Sequence, residues 1–165
     1  MILYKGEKFT LVKEKCRLPT GYVVPKDIII HPGATLIIPF LDKNHVVLLH
    51  QYRPVLKTYL YELPAGTLSP SERPINCARR ELVEETGYAA KKFTKLGRIF
   101  PVPAYSTEVI TIYRAEKLYK KSGEKDLDEI IDVRLLDRSQ IRRLFRSKKI
   151  VDAKTISAFA LCGWL

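Results

Sequence analysis

Apolar and polar positions change period several times along the chain, and each change marks an element. Residues 8–16 partly alternate, the pattern of an edge strand. Leu18-Pro19-Thr20-Gly21 reads as a turn, and residues 22–31 as a second strand broken by His31-Pro32-Gly33. Residues 34–40 and 46–52 are apolar runs joined by Asp42-Lys43-Asn44, a hairpin signal, and the shorter run 58–63 is stopped by Pro64. From residue 74 to 86 the period becomes helical. Ile75, Ala78 and Leu82 form one apolar stripe, Pro74 suits a first turn that has no use for its missing N–H, and Gly87 suits a C-cap. Strands are then expected at 94–100, 107–115 and 129–136, and helices at 138–147 and 152–163. Strands on both sides of one central helix, with helices at the end, predict an α/β architecture in which helices cover a mixed sheet.

Composition narrows the class. A chain of 165 residues suits one compact domain with at most a small appendage, and 46% hydrophobic residues with 28% charged exclude a wholly disordered chain. No apolar run reaches the ~18 residues of a membrane-spanning helix. The N-terminus, Met1-Ile2-Leu3-Tyr4-Lys5-Gly6-Glu7, lacks the basic head and apolar stretch of a signal peptide, so a cytoplasmic location is expected. Cys16, Cys77 and Cys162 lie far apart without Cys-x-x-Cys spacing, which favours small buried side chains over zinc or a disulfide framework. A formal net charge of +11 favours anionic partners, whether nucleic acid or a phosphorylated small molecule. No RNA-binding or helix-turn-helix pattern supports the first. His31, His45 and His50 show neither triad nor metal spacing, and no Gly-rich nucleotide-binding loop occurs.

The candidate chemistry is concentrated on the central helix. Glu81, Glu84 and Glu85 fall at i, i+3 and i+4 and therefore crowd one face. Like charges so close repel unless cations bind them. Carboxylate oxygens are hard ligands suited to Mg²⁺ or Mn²⁺ beside substrate phosphates, where a metal polarises a phosphoryl group and acidifies water. A plain acidic, solvated face would carry the same three residues, so the wider spacing decides. Gly66, five residues, Glu72, seven residues, then Arg80-Glu81-Leu82-Val83-Glu84-Glu85-Thr86-Gly87-Tyr88 match the Nudix box at every fixed position. Only Tyr88 departs, being aromatic where an aliphatic is usual. A chance match has odds of about one in 10⁸ or less.

The resemblance extends beyond the box to the ADP-ribose pyrophosphatase branch of the Nudix superfamily. Leu18-Pro19-Thr20-Gly21, His31-Pro32-Gly33-Ala34, Gln51-Tyr52-Arg53 and Glu62-Leu63-Pro64-Ala65-Gly66 are similar to segments of that branch, as is residues 100–108, with Pro103 fifteen positions beyond the box. The resemblance implies the Nudix α/β/α sandwich with a mixed sheet over residues 35–165. It implies a strand-rich segment at 1–34 that exchanges with a second subunit in a homodimer. It also implies metal-dependent hydrolysis of ADP-ribose to AMP and ribose 5-phosphate.

Roles carried over with the resemblance are specific to positions. Metals would bind the carboxylates of Glu81 and Glu85 and the carbonyl of Ala65, with Glu84 assisting. Arg80 resembles the arginine that orients the box carboxylates, and Glu72 resembles an outer or third-metal contact. Arg53 matches the arginine gripping the diphosphate, while Glu62 and Pro103 resemble residues near the substrate. The base in this branch lies on a loop before the last strand, here residues 123–129. Glu129 is preferred, with Glu124, Asp126 and Asp128 as competitors. Rival readings are a Nudix hydrolase for another nucleotide sugar, a dinucleoside polyphosphate or an oxidised nucleotide, and a Nudix-fold binding protein without catalysis. The intact box argues against the last.

Overall fold

The computed structural model describes residues 1–123 and 130–165. Among them the chain forms ten strands and three helices. Strands β1 (Ile2–Lys5), β2 (Thr10–Arg17) and β3 (Val23–Ile30) make a separate antiparallel sheet in chain order. It joins the rest of the molecule at the end of β3, where Ile29 N donates to Tyr105 O (2.8 Å) and Thr107 N to Ile29 O (2.9 Å). Only Val12 of this sheet is buried, and Ile2, Tyr4, Tyr22 and Val23 are exposed.

The central sheet is mixed. Its order is β7 (Ala65–Thr67), β4 (Ala34–Pro39), β9 (Ile110–Lys120), β8 (Tyr88–Ile99), with β4 and β9 parallel. All six residues of β4 are buried, as expected of a strand covered on both faces. Alternation sorts the core into two clusters. Leu36 and Ile38, with Ile110 and Ile112, face Ile141, Phe159 and Trp164 near the C-terminus. Ile37, with Tyr113 and Ala115, faces Ala78 and Leu82 of helix α1 (Pro74–Thr86). A second antiparallel sheet, β10 (Ile131–Asp137), β5 (His45–Arg53), β6 (Thr58–Glu62), shares the first cluster through Val46 and Leu48. Helices α2 (Arg138–Arg146) and α3 (Ala153–Leu161) close that side. The expected α/β class, Nudix architecture and N-terminal strand segment are all present.

Local signals explain the helix ends. Pro74 occupies the first turn of α1, and Gly87 at φ 69° terminates it, donating its N–H to Val83 O at 2.9 Å. Asp137 and Gln140 cap α2 reciprocally. Asp152 caps α3 by accepting from Thr155 N at 3.0 Å.

Four strands differ from expectation. β7 is a three-residue strand, Ala-Gly-Thr, too short and too small to show a pattern; its pairing with β4, Thr35 opposite Gly66 and Leu36 opposite Ala65, creates it. β8 begins at Tyr88 rather than 94 because its first half is an edge strand with exposed Lys91 and Lys92, and β9 extends to Lys120 to pair with it. β1 pairs with β2 although it was not anticipated. Among the described residues no helix is long and apolar enough to cross a membrane.

Candidate active site

The site forms where α1 passes under β7. Gly66 stands against Glu81 so closely that a methyl group there would meet Glu81 Oε1 at 1.8 Å. The missing side chain is what lets the Glu81 carboxylate cross to the strand. One turn on, Glu85 is buried at 6% exposure, and its Oε2 accepts the Ala65 N–H at 2.9 Å. The β7 backbone and two α1 carboxylates are thereby locked together.

Arg80 gathers the remaining acids. Its Nη1 donates to Glu81 Oε1 (2.6 Å) and Glu84 Oε2 (2.9 Å), while Nε and Nη2 reach Glu72 at 3.2 and 3.1 Å. The hydrogen bond to Glu72, then the charge and hydrogen bond of Glu81, hold the guanidinium protonated. In return Arg80, helped by the Ser69 N–H, keeps the Glu72 carboxyl below its ordinary range. Cys77 lies beneath this network, and burial pushes its thiol up to about 11, so it is an inert packing group.

Basic side chains line the same cavity as Glu81 and Glu85. Arg53 at the end of β5 donates through Nε and Nη2 to the two oxygens of Glu62, at 2.8 and 2.6 Å. Glu62 Oε2 also accepts from Lys154 Nζ of α3 at 2.7 Å. Burial alone would raise the Glu62 carboxyl, but the Arg53 hydrogen bond and the charge of Lys154 outweigh it, leaving Glu62 below its ordinary range. The cavity has a volume of about 390 Å³ and is lined by Arg53, Gly66, Glu81, Glu85, Glu108 and Lys154 among others.

Arg53, Ala65, Arg80, Glu81 and Glu85 thus meet at one cavity, with Glu84 held behind by Arg80 and Glu62 behind Arg53. Pro103 is exposed and does not line the cavity, whereas Glu108 of the same loop does. Glu124, Asp126, Asp128 and Glu129 lie outside the described residues. Of the described residues on either side of them, Gly123 lies against Val83 of α1, and Ile130 O accepts from Tyr52 N. Sequence reasoning missed Glu108 and Lys154. Lys154 follows a legible helix start at Asp152, yet its partner Glu62 lies 92 positions earlier and left no local trace.

The donor set suits a divalent cation. Among the described residues no three acidic, His or Cys side chains already enclose an ion-sized space. Arg80 holds Glu81 and Glu84, and the Ala65 N–H holds one oxygen of Glu85. A pair of hard carboxylates lining a cavity is nonetheless how Mg²⁺ is usually held, since it keeps several waters and takes further oxygens from substrate phosphates.

Comparison with known proteins agrees with this geometry. The family model for the NUDIX domain matches residues 30–159. The chain belongs to the Nudix family. It is 34% identical over 158 residues to an ADP-ribose pyrophosphatase of Bacillus subtilis, covering 94% of this chain and 85% of that one. It is 29% identical to a GDP-mannose pyrophosphatase of Citrobacter koseri over 92% of this chain and 93% of that one. A crystal structure of an ADP compounds hydrolase superposes with a TM-score of 0.82 at 25% identity, covering 98% of this chain and 91% of the other. This Nudix protein is therefore a pyrophosphohydrolase related to the ADP-ribose pyrophosphatases, a family that generally uses divalent metals.

Proposed function

We propose that this Nudix hydrolase splits the diphosphate of ADP-ribose into AMP and ribose 5-phosphate, with Mg²⁺ as the preferred ion and Mn²⁺ as a substitute. The observation that carries the reading is one cavity lined by both the box carboxylates Glu81 and Glu85 and the cation Arg53. Glu81, Glu85 and the Ala65 carbonyl would hold the ion, with Glu84 assisting. When bound, it neutralises phosphate charge and acidifies water. Arg80 keeps the α1 carboxylates in place through charge-assisted hydrogen bonds. Arg53 receives the diphosphate with a planar fork of donors that its bidentate pairing with Glu62 has already oriented. A water oxygen bonds to one phosphorus as the bridging oxygen departs, and the water's proton passes to an acid of the 124–129 segment, with Glu129 as first choice. Pro103 lies outside the cavity and would meet only a part of the substrate that extends beyond it.

Residues 1–34 would serve dimerisation and residues 35–165 catalysis. The exposed apolar side chains of the N-terminal segment, Ile2, Tyr4, Tyr22 and Val23, support a homodimer, which sedimentation velocity tests directly. A second substrate reading, another nucleotide sugar, is favoured by the similarity to a GDP-mannose pyrophosphatase.

The deciding experiment offers ADP-ribose, GDP-mannose, a dinucleoside polyphosphate and an oxidised nucleoside triphosphate to the enzyme with Mg²⁺, and quantifies products by chromatography. AMP from ADP-ribose at the highest kcat/KM is expected, and excess EDTA should abolish it. Preference for another compound overturns the substrate, and full turnover in EDTA after removal of prebound metal overturns the metal requirement.

A further inference from the structure

A surface outside the diphosphate cavity joins aromatic rings to uncompensated positive charge. On β5 and its neighbour β6, four rings run in a line: Tyr52, Tyr59, His50 and Tyr61. Successive centroids are 5.2, 5.0 and 4.6 Å apart, and His50 stacks on Tyr59 at an interplanar angle of 23°. Register makes the line, since Tyr52 stands opposite Tyr59 and His50 opposite Tyr61. Core packing accounts for Tyr61, which touches the main cluster. It does not account for Tyr59, which stands on the edge strand of its sheet with 49% of its surface exposed.

A cavity of about 450 Å³ brings these rings to the turn between α2 and α3. His50, Tyr59 and Tyr61 line it together with Lys148, Lys149 and Val151, and no acid lines it among the described residues. The lysine-lined cavity at the β4–β5 turn differs, because Glu116 there pairs with both Lys92 (2.9 Å) and Arg114 (3.0 Å). Residues 138–149 carry six cations and no acid. Arg138 and Arg142 donate to the carbonyls of Gly163 and Trp164, and Arg143 and Arg146 complement the α2 dipole. Lys148 and Lys149 lie beyond the helix and are exposed. The neighbouring acids are already engaged, Asp132 by Arg134 and Asp152 by Lys154 and the α3 cap.

We infer that this face binds single-stranded nucleic acid, with bases stacking on Tyr59 and its neighbouring rings and phosphates held by Lys148 and Lys149. A ring offers its π-face to any base and a cation neutralises any backbone phosphate, so neither reads sequence. A membrane surface would use the same charge, but rings set in a concave cavity do not reach a flat one. The face is assembled from β5, β6 and the α2–α3 turn, so no contiguous sequence pattern announces it. It shares no lining residue with the diphosphate cavity and does not depend on which diphosphate is cleaved there.

Fluorescence anisotropy in excess EDTA tests it, with a labelled oligouridylate and the matching oligodeoxythymidylate as probes. Both should bind, since neither stacking nor phosphate contact reads the sugar. Tyr59→Leu should weaken Kd about 5- to 100-fold, and Tyr59→Phe by no more than about twofold, because the ring is what a base needs. Lys148→Met/Lys149→Met should lower the slope of log Kd against log salt by about 1.4, roughly 0.7 for each phosphate contact. Lys91→Met/Lys95→Met, which removes two exposed lysines of β8, should leave that slope unchanged. Excess of the preferred diphosphate substrate should not displace the probe, and kcat/KM for that substrate should be unchanged in all four variants. Failure of both probes to bind overturns the inference, and so does wild-type affinity in Tyr59→Leu. Displacement by the diphosphate substrate overturns it by placing the probe in the other cavity. Phosphatidylserine vesicles that compete equally, or a duplex that binds as tightly, leave a merely cationic face and overturn it too. Should Tyr59→Leu fail to fold, the double lysine variant decides through its salt slope.

Discussion

Replacing Gly66 by alanine separates the site from the fold with a single methyl group. The added carbon would lie 1.8 Å from Glu81 Oε1, 1.9 Å from Cδ and 2.4 Å from Cγ. Comfortable contact needs roughly 3.5 Å, so the Glu81 carboxylate must withdraw by about 1.5 Å. All three clashing atoms belong to one side chain that can swing aside, and Gly66 is not at a positive φ, so the backbone accepts alanine. The partly exposed Arg80–Glu81 pair is worth ~0–1 kcal/mol. Replacing glycine returns ~0.4–1 kcal/mol by restricting the unfolded chain. These nearly cancel, and the melting temperature should move by no more than ~4 °C. Activity should not escape, because a misplacement of ~1 Å at a reacting centre can cost ~10²-fold. Thermal melting and steady-state kinetics on one preparation test both halves. The double variant Gly66→Ala/Glu81→Gln should be no slower than Glu81→Gln alone, since both act through the same carboxylate. A Gly66→Ala enzyme with kcat within threefold of wild type would refute the reasoning. So would a collapse in stability, which would mean that the contact is rigid.

The other predictions touch the remaining walls. Glu85→Gln should lower kcat by ~10³ or more, about 4 kcal/mol of transition-state stabilisation, while melting normally; a loss below tenfold removes Glu85 as a principal ligand. Arg53→Ala should raise KM more than it lowers kcat, because a diphosphate grip acts in ground and transition states alike; an unchanged KM for the preferred substrate returns Arg53 to a structural partner of Glu62. Glu129→Gln should cost ~10²–10³ in kcat, measured beside the equivalent changes at Glu124, Asp126 and Asp128; if a neighbour is crippled instead, that neighbour is the base. The Glu62 carboxyl is held below its ordinary value in the folded protein, the cations outweighing burial. Its stabilisation is therefore complete above the unfolded pKa of about 4.3 and is lost as pH falls through the lower folded value. Urea denaturation should show a stability gap between wild type and Glu62→Gln that is steady at neutral pH and shrinks below that point. A gap that persists or widens towards pH 3 contradicts the sign.

The amino-acid sequence by itself determined what is local. Pro74, the Ile75-Ala78-Leu82 stripe and Gly87 set the limits of α1. The i, i+3, i+4 spacing placed Glu81, Glu84 and Glu85 on one face before any tertiary contact was known. Capping signals at Asp137 and Asp152 likewise depend on neighbours three residues away. Tertiary structure decided whatever joins distant positions. β7 exists because Gly66 and Ala65 pair with Thr35 and Leu36, since nothing in Ala-Gly-Thr favours a strand. The space that Gly66 leaves has meaning only once Glu81 lies across it. Arg53 and Glu62 were legible as separate residues, but their bidentate pairing is a contact between β5 and β6, whose register sets Arg53 opposite Thr58 and Glu62 opposite Leu49, and the addition of Lys154 comes from the docking of α3. Such long-range contacts are set by sheet register and core packing, to which many residues contribute a little and none carries a local signature.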